Sequence, residues 1–315
     1  MRVVIVGPGA LGSLLAATFH RHGHEVALLG RVGSGHEPSS IRMLRIERTD
    51  GALEQLPMSI DRDPSVVSSA DLVIMLVKSG DTSAAAAAIT PWVSSGQPIL
   101  TLQNGLGNAE RIRKEVGPHP IILRGVTSLA ATRLAPGHVR HTGSGPTLIG
   151  YSSATESTLA QEIVALFTSS GLPAAAVADI DGWIWRKLAI NAAINGLTAL
   201  AGVPNGTIAS DAAMLDAAEI IAEEVAAVAR ANGWEIGNTR EMVAETARAT
   251  AANRSSMLQD LDFGRPTEVD AIHGAVITAA ASAGIAVPAT TIVTSLIRMR
   301  ERTVTARKGT HDRFE

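Results

Sequence analysis

Residues 3–12 run Val3-Val4-Ile5-Val6-Gly7-Pro8-Gly9-Ala10-Leu11-Gly12, and the fold depends on how they are parsed. Four consecutive apolar, mostly β-branched residues have the signature of a strand buried on both faces. The glycines fit G-x-G-x-x-G, and the following stretch from Ala10 to His22 has helical spacing. Strand, glycine turn and helix in that order form a dinucleotide-binding unit. Gly7 permits the tight turn, Gly9 the close approach of a pyrophosphate, and Gly12 close packing of the helix, whose N-terminus faces the phosphates. Gly7, Pro8, Gly9, Ala10, Leu11 and Gly12 are therefore cofactor-binding candidates. A plain strand-to-helix turn is the simpler alternative for the same glycines.

The pattern continues outward from this unit. Short apolar runs at Glu25 to Leu29, Leu72 to Val77 and Ile99 to Leu102 alternate with helical stretches, one of them through Ala84 to Ala88. Such alternation predicts βαβ units and a parallel sheet. Ile41 to Arg48 and Leu53 to Ile60 flank Asp50-Gly51, a hairpin turn, and a second hairpin is expected around Ala135-Pro136-Gly137-His138. Residues 33–40 lack periodicity and read as a mobile loop. From about Asp181 the pattern changes to long helical stretches: Trp183 to Leu200, Asp211 to Asn232, Thr239 to Ala252, Thr267 to Ala283 and Ala289 to Thr305. Gly233, Gly284 and Pro288 stand where helices should stop, Asn238 or Thr239 where one should start, and the last seven residues should fray. The expected fold class is α/β, with a Rossmann-type, mainly parallel sheet domain over residues 1–178 and an all-α domain over 179–315.

Composition narrows the function classes. The 315 residues are 46% hydrophobic, enough for two cores. A formal net charge of -3 with 27 basic and 30 acidic residues interspersed, and 3% aromatic content, disfavour nucleic acid as a partner. The absence of cysteine rules out disulfides, thiolate metal sites and cysteine nucleophiles, and suits a cytoplasmic location. The N-terminal apolar run is cut at Gly7-Pro8-Gly9, so it reads as a strand and not an export signal. No segment approaches the roughly 18 apolar residues that span a bilayer, so no membrane partner is expected.

The second strand ends Gly30-Arg31, where a binder of NAD usually carries an acidic residue for the ribose hydroxyls. A guanidinium there attracts a 2′-phosphate, which predicts NADP(H); an exposed loop arginine is the alternative. Lys78 and Asn104-Gly105 follow other strands, at the sheet edge where ligands of open α/β folds collect. A solvated strand end and an ordinary turn account for them equally.

The segment Trp185 to Asn195, WRKLAINAAIN, places Lys187, Asn191 and Asn195 at i, i+4 and i+8 among apolar residues. On a helix they form one polar stripe. A solvated face usually uses Glu, Lys and Arg, because mid-helix Asn competes with the helical backbone. Amide groups beside a single cation suit a small polar anion.

Taken together, these pieces resemble the ketopantoate reductases (2-dehydropantoate 2-reductases) over nearly the whole chain. The resemblance rests on VGPGALG with Arg31, Lys78 and Asn104-Gly105, on WRKLAINAAIN leading to Val203-Pro204-Asn205-Gly206, on Ser255 to Asp260, and on Pro266-Thr267-Glu268-Val269-Asp270. It implies NADPH-dependent reduction of 2-dehydropantoate to (R)-pantoate, a step towards pantothenate and coenzyme A. It also implies Lys187 as the catalytic lysine, Asn191, Asn195, Asn205 and Ser256 as substrate contacts, and Ala131 and Glu268 near the cofactor. An ordinary lysine, titrating near roughly 10.4, would be protonated at neutral pH without adjustment. A helix-start carboxylate is the plainer reading of Glu268. Other branched 2-oxo acids stay open as substrates, since one methylene changes discrimination by only about 1–3 kcal/mol. A catalytically silent NADPH-sensing regulator is the alternative from another class.

His20, His22 and His24 straddle a helix end and lack the carboxylate spacing of a metal site, so no metal is expected. Ser255-Ser256 has no readable hydrolase triad. Arg298, Arg300, Glu301 and Arg302 read as a solvated helical face, which leaves a homo-oligomer open.

Overall fold

The computed structural model describes residues 1–31 and 40–311, and it divides into two compact units. The first comprises Met1–Gln103 and Gly107–Ile180, the second Asp181–Glu315 together with the short strap Asn104–Leu106. The loop expected at residues 33–40 lies outside the described residues except for Ser40, which begins a strand, and so does the end of the expected frayed tail, residues 312–315.

In chain order the first unit contains β1 (Arg2–Val6), α1 (Ala10–Arg21), β2 (Glu25–Leu29), β3 (Ser40–Glu47), β4 (Leu53–Asp61), β5 (Leu72–Met75), α2 (Thr82–Ile89), β6 (Pro98–Thr101), α3 (Asn108–Val116), β7 (Ile121–Ala135), β8 (His138–Gly150), α4 (Ala154–Ser169) and β9 (Ala174–Val177). The strands form one sheet in the order β3-β4-β2-β1-β5-β6-β7-β8-β9. β1 lies between β2 and β5, parallel to both, with Val6 opposite Leu29 and Met75. Its side chains alternate: Val3 and Ile5 join Leu14, Phe19 and Phe167 in one core layer, while Val4 and Val6 join Ala86, Ile89 and Ile112 in another. Helices on both faces explain why this strand is apolar without interruption.

The sheet is mainly parallel, as expected, but it has two antiparallel pairings and a closure that the expectation lacked. β3–β4 and β7–β8 are antiparallel hairpins at the two turns the glycines mark, and the long β7–β8 ribbon reaches round so that β3 also pairs with β8, Arg45 opposite His138. The sheet is mixed and closes towards a barrel. Its closing pair joins residues about ninety apart, and no local periodicity encodes such a partner.

The second unit is helical: α5 (Ile180–Ala201), α6 (Gly206–Ser210), α7 (Ala212–Ala231), α8 (Thr239–Ala249), α9 (Ser256–Asp262), α10 (Ala275–Ala283) and α11 (Pro288–His311). α5 is its central element, packing Leu188, Ala192 and Ala193 among Val225 of α7, Val243 of α8, Leu258 of α9 and Ile297 of α11. Caps set the boundaries. Asp211 accepts the N–H of Met214 at 3.0 Å, and Asn238 that of Glu241 at 3.0 Å. The helix expected from Thr267 to Ala283 runs unbroken from Val269 but is not α-helical throughout: a π turn occupies Asp270–Gly274, and regular α-helix begins at Ala275. The charged face expected on α11 is also only partly solvated. Arg300 donates to the carbonyls of Ala199 and Leu200 at the end of α5, and Glu301 accepts the Thr267 N–H at 2.7 Å. No helix among the described residues is long and apolar enough to cross a membrane.

Candidate active site

The first unit places the glycine loop at the tip of β1. Gly7 adopts φ 114, and a Cβ there would meet the Val77 backbone nitrogen at 2.6 Å. At Gly12 a Cβ would stand 2.2 Å from the Gly7 carbonyl oxygen, so helix α1 can sit this close only with glycine. Gly9 behaves differently: among the described residues, none beyond its own chain neighbours places a heavy atom within 4 Å of its ideal Cβ position. It is the N-cap of α1 and provides no side-chain cap, so the first N–H groups of the helix are not served by a capping side chain. Pro8, Ala10 and Leu11 are partly exposed on this loop. Open space, helix N–H groups and dipole together suit a pyrophosphate.

Arg31 and Lys78 stand near this loop. Lys78 follows Val77 and opens the 3-10 turn Ser79–Asp81, whose Asp81 N–H bonds the Lys78 carbonyl at 2.8 Å. Arg31 Nη2 is 3.9 Å from Asp81 Oδ2, and its side chain is 90% exposed. Such a loose pair leaves the guanidinium available for a phosphate. Ala131 lies in β7 opposite His141.

The second unit gathers the remaining candidates. Lys187, Asn191 and Asn195 do lie along one stripe of α5, and the stripe runs inwards: Lys187 and Asn191 are partly exposed, Asn195 is 7% exposed. A solvated face is excluded for its buried end. Burial pulls the Lys187 pKa from 10.5 to about 8, while the Glu268 carboxylate pulls it upwards. The lysine is therefore adjusted by its surroundings, contrary to the expectation of an ordinary ammonium. Asn205, 8% exposed in the turn before α6, donates its amide to Thr250 Oγ1 at 2.9 Å. Its Oδ1 is buried with no hydrogen-bond partner among the described residues, a state that a ligand hydroxyl or a water would relieve. Ser256 is the exposed first residue of α9, while its neighbour Ser255 is the N-cap, accepting the Leu258 N–H at 3.2 Å.

Asn104 appears here too. Although it follows β6 in sequence, the strap carrying it belongs to the helical unit, where its amide donates to Glu268 Oε2 at 3.3 Å. The strap is seated by the Leu106 N–H on the Ala271 carbonyl, 3.2 Å away.

Two polar residues of these surroundings escaped the sequence reading. Thr198 extends the stripe of α5, and its Oγ1 meets Ser255 Oγ at 2.8 Å, both fully or nearly buried. Its i+7 spacing from Asn191 was the available signal. Gln103 joins two strand tips, donating to the Val77 carbonyl at 2.8 Å and to Thr82 Oγ1 at 2.7 Å. Two of the histidines near Gly23 have structural contacts: His22 Nδ1 lies 2.8 Å from the Thr18 carbonyl, and His24 packs edge-to-face with Phe19.

Residues 3–154 match the family model described as ketopantoate reductase PanE/ApbA, and residues 179–301 match that of the C-terminal part of the same family. A 2-dehydropantoate 2-reductase of Halobacterium salinarum is 38% identical over 96% of this chain and 99% of its own length. Among solved structures, a PanE/ApbA family ketopantoate reductase from Ralstonia eutropha has a TM-score of 0.83 at 33% identity, covering 96% of this chain and 99% of its own. D-mandelate dehydrogenase in a ternary structure with NADH and anilino(oxo)acetate has a TM-score of 0.87 at 26% identity, with the same coverage. Matching models over both units and a full-length relative above 30% identity agree with the glycine loop and the α5 stripe: this chain belongs to the ketopantoate reductase family.

Proposed function

We propose that this chain reduces 2-dehydropantoate to (R)-pantoate with NADPH, in the cytoplasmic route to pantothenate and coenzyme A. The observation that carries the reading is Lys187, an ammonium drawn down to about 8 by burial at the head of an amide stripe. NADPH, when bound, supplies a hydride to C2 of the oxo acid. As that bond forms, negative charge grows on the ketone oxygen, and Lys187 stabilises it and delivers its proton there. Near pH 7 a group titrating at about 8 is still mostly protonated, yet it gives up its proton more readily than an ordinary lysine. Asn191 and Asn195 orient the polar groups of the substrate without adding charge. Asn205, whose buried Oδ1 can accept from a hydroxyl, and Ser256 complete the substrate side.

On the cofactor side, Gly7 to Gly12 hold the pyrophosphate and Arg31 the 2′-phosphate, with Lys78, Asn104 and the backbone of Ala131 as neighbours. Glu268 supports the Lys187 ammonium. A second reading, a reductase of another branched or aromatic 2-oxo acid, is favoured by the structural likeness to D-mandelate dehydrogenase.

The test is loss of NADPH absorbance with 2-dehydropantoate and a panel of branched and aromatic 2-oxo acids, with NADPH binding followed separately by fluorescence. The highest kcat/KM is expected for 2-dehydropantoate. Binding of NADPH without oxidation by any acid would overturn the reading in favour of a sensor.

A further inference from the structure

His273 is fully buried in the π turn Asp270–Gly274, and the mechanism above does not use it. Its Nε2 lies 3.0 Å from the Ala192 carbonyl on α5. A carbonyl accepts, so the Nε2–H tautomer donates, and Nδ1 is left buried without a partner among the described residues. Burial pushes its pKa down to about 4, so the ring stays neutral and remains a donor throughout the working range.

The ring fits because α5 carries glycine at position 196, where a Cβ would stand 2.7 Å from Nε2. Ala192 follows Asn191 and Gly196 follows Asn195, so the imidazole is wedged beside the amide stripe.

The same turn is tied down on its other sides. Glu268 lies two residues before it, and its carbonyl accepts the N–H groups of Ala271 and Ile272 at 3.1 and 3.0 Å. Widening of the helix into a π turn accompanies a second acceptor role for Ala271, whose carbonyl takes the Leu106 N–H. A Cβ on Gly105, at φ +87, would stand 2.1 Å from that oxygen, so the strap approaches this closely only with glycine. The charged groups facing the turn are Asp270 on it, paired at 3.0 Å with Arg298 of α11, and Glu268 before it.

We propose that His273 is a positioning residue: by fastening the π turn to α5 at Ala192, it fixes where the Glu268 carboxylate stands relative to Lys187 and Asn104. The role rests on the Lys187 and Glu268 assignments made under the proposed function. It differs from simple core filling because it requires a directed N–H, which an apolar side chain of similar size lacks.

The test compares His273→Leu, His273→Asn and Gly196→Ala with wild type by thermal unfolding, steady-state kinetics with 2-dehydropantoate, and NMR titration of Lys187 labelled at Cε. In H273L the carboxylate loses its fixed place, so kcat falls at least tenfold with KM changed less than threefold, and the Lys187 pKa drops below its wild-type value. H273N, which keeps a donor, recovers most of both. G196A, which crowds the ring without removing it, moves both in the same direction as H273L. Folded H273L, or folded G196A if H273L does not fold, with wild-type kcat and wild-type Lys187 titration overturns the proposal. So does an H273N variant that regains thermal stability but neither kcat nor the titration. A wild type that turns over no 2-oxo acid would refute the proposed function, while the NMR titration would still decide the role of His273.

Discussion

Asn104 donates its amide to Glu268 Oε2 across 3.3 Å, joining two residues 164 positions apart in sequence. Glu268 in turn opposes the burial that lowers the Lys187 pKa, so the proposed proton donor is poised between two effects of opposite sign. The reduction rate should therefore decline as pH rises past about 8, where Lys187 loses its proton. Glu268→Gln removes the raising influence and should move that decline to lower pH. A pH profile of kcat for both proteins checks the point; superimposable profiles would detach Glu268 from the proton-transfer step.

Lys187 should cost stability while serving turnover. Its folded-state pKa, about 8, lies below the ordinary 10.5, so the unfolded chain binds more protons between those values. The penalty is present in full below pH 8 and is relieved as pH rises towards 10.5. Lys187→Met should thus be more stable at pH 7, by something of order 1–3 kcal/mol, with the advantage shrinking at high pH. Its kcat should fall by about 10²–10⁴-fold with NADPH binding retained. Urea unfolding at pH 7 and pH 10, beside single-turnover kinetics, measures both.

Arg31 is highly exposed and, among the described residues, paired loosely with Asp81, so replacing it should leave the fold untouched. Arg31→Ala is expected to weaken NADPH binding by roughly 10- to 100-fold, the scale of a lost charge-assisted hydrogen bond. NADH binding should barely change. Equal effects on the two cofactors would place the 2′-phosphate elsewhere.

The glycines of the loop should separate by function. Gly12→Ala drives a Cβ to 2.2 Å from the Gly7 carbonyl and should lower stability by about 1–3 kcal/mol. Gly9→Ala meets no described residue beyond its chain neighbours within 4 Å, and its φ of -76 suits alanine, so the variant should melt with wild type. Its methyl group would occupy the space proposed for the pyrophosphate, and the NADPH dissociation constant should rise. Calorimetry and fluorescence titration of the two variants test this contrast.

The glycine loop was legible because its geometry is local. A strand, a turn of fixed glycines and a helix start are encoded within residues 3–12, where Gly12 answers to the Gly7 carbonyl five residues away and Gly7 to the backbone that follows the neighbouring strand. The α5 stripe was legible for the same reason, since i, i+4 spacing determines which side chains share a helix face. The hairpins at Asp50-Gly51 and Pro136-Gly137 were marked by their turns. By contrast, neither the pairing of β3 with β8 nor the π turn left a periodic trace.

From the sequence alone came the two kinds of layer, the strand–glycine–helix turn and the identity of the polar stripe, all properties that repeat within a turn or a strand. Tertiary structure decided that Asn104 leaves the sheet to join Glu268, that Arg300 and Glu301 turn inwards, and that Lys187 titrates near 8. Those outcomes depend on desolvation and on partners brought together from distant parts of the chain, and a side chain's own neighbours in sequence carry no record of either.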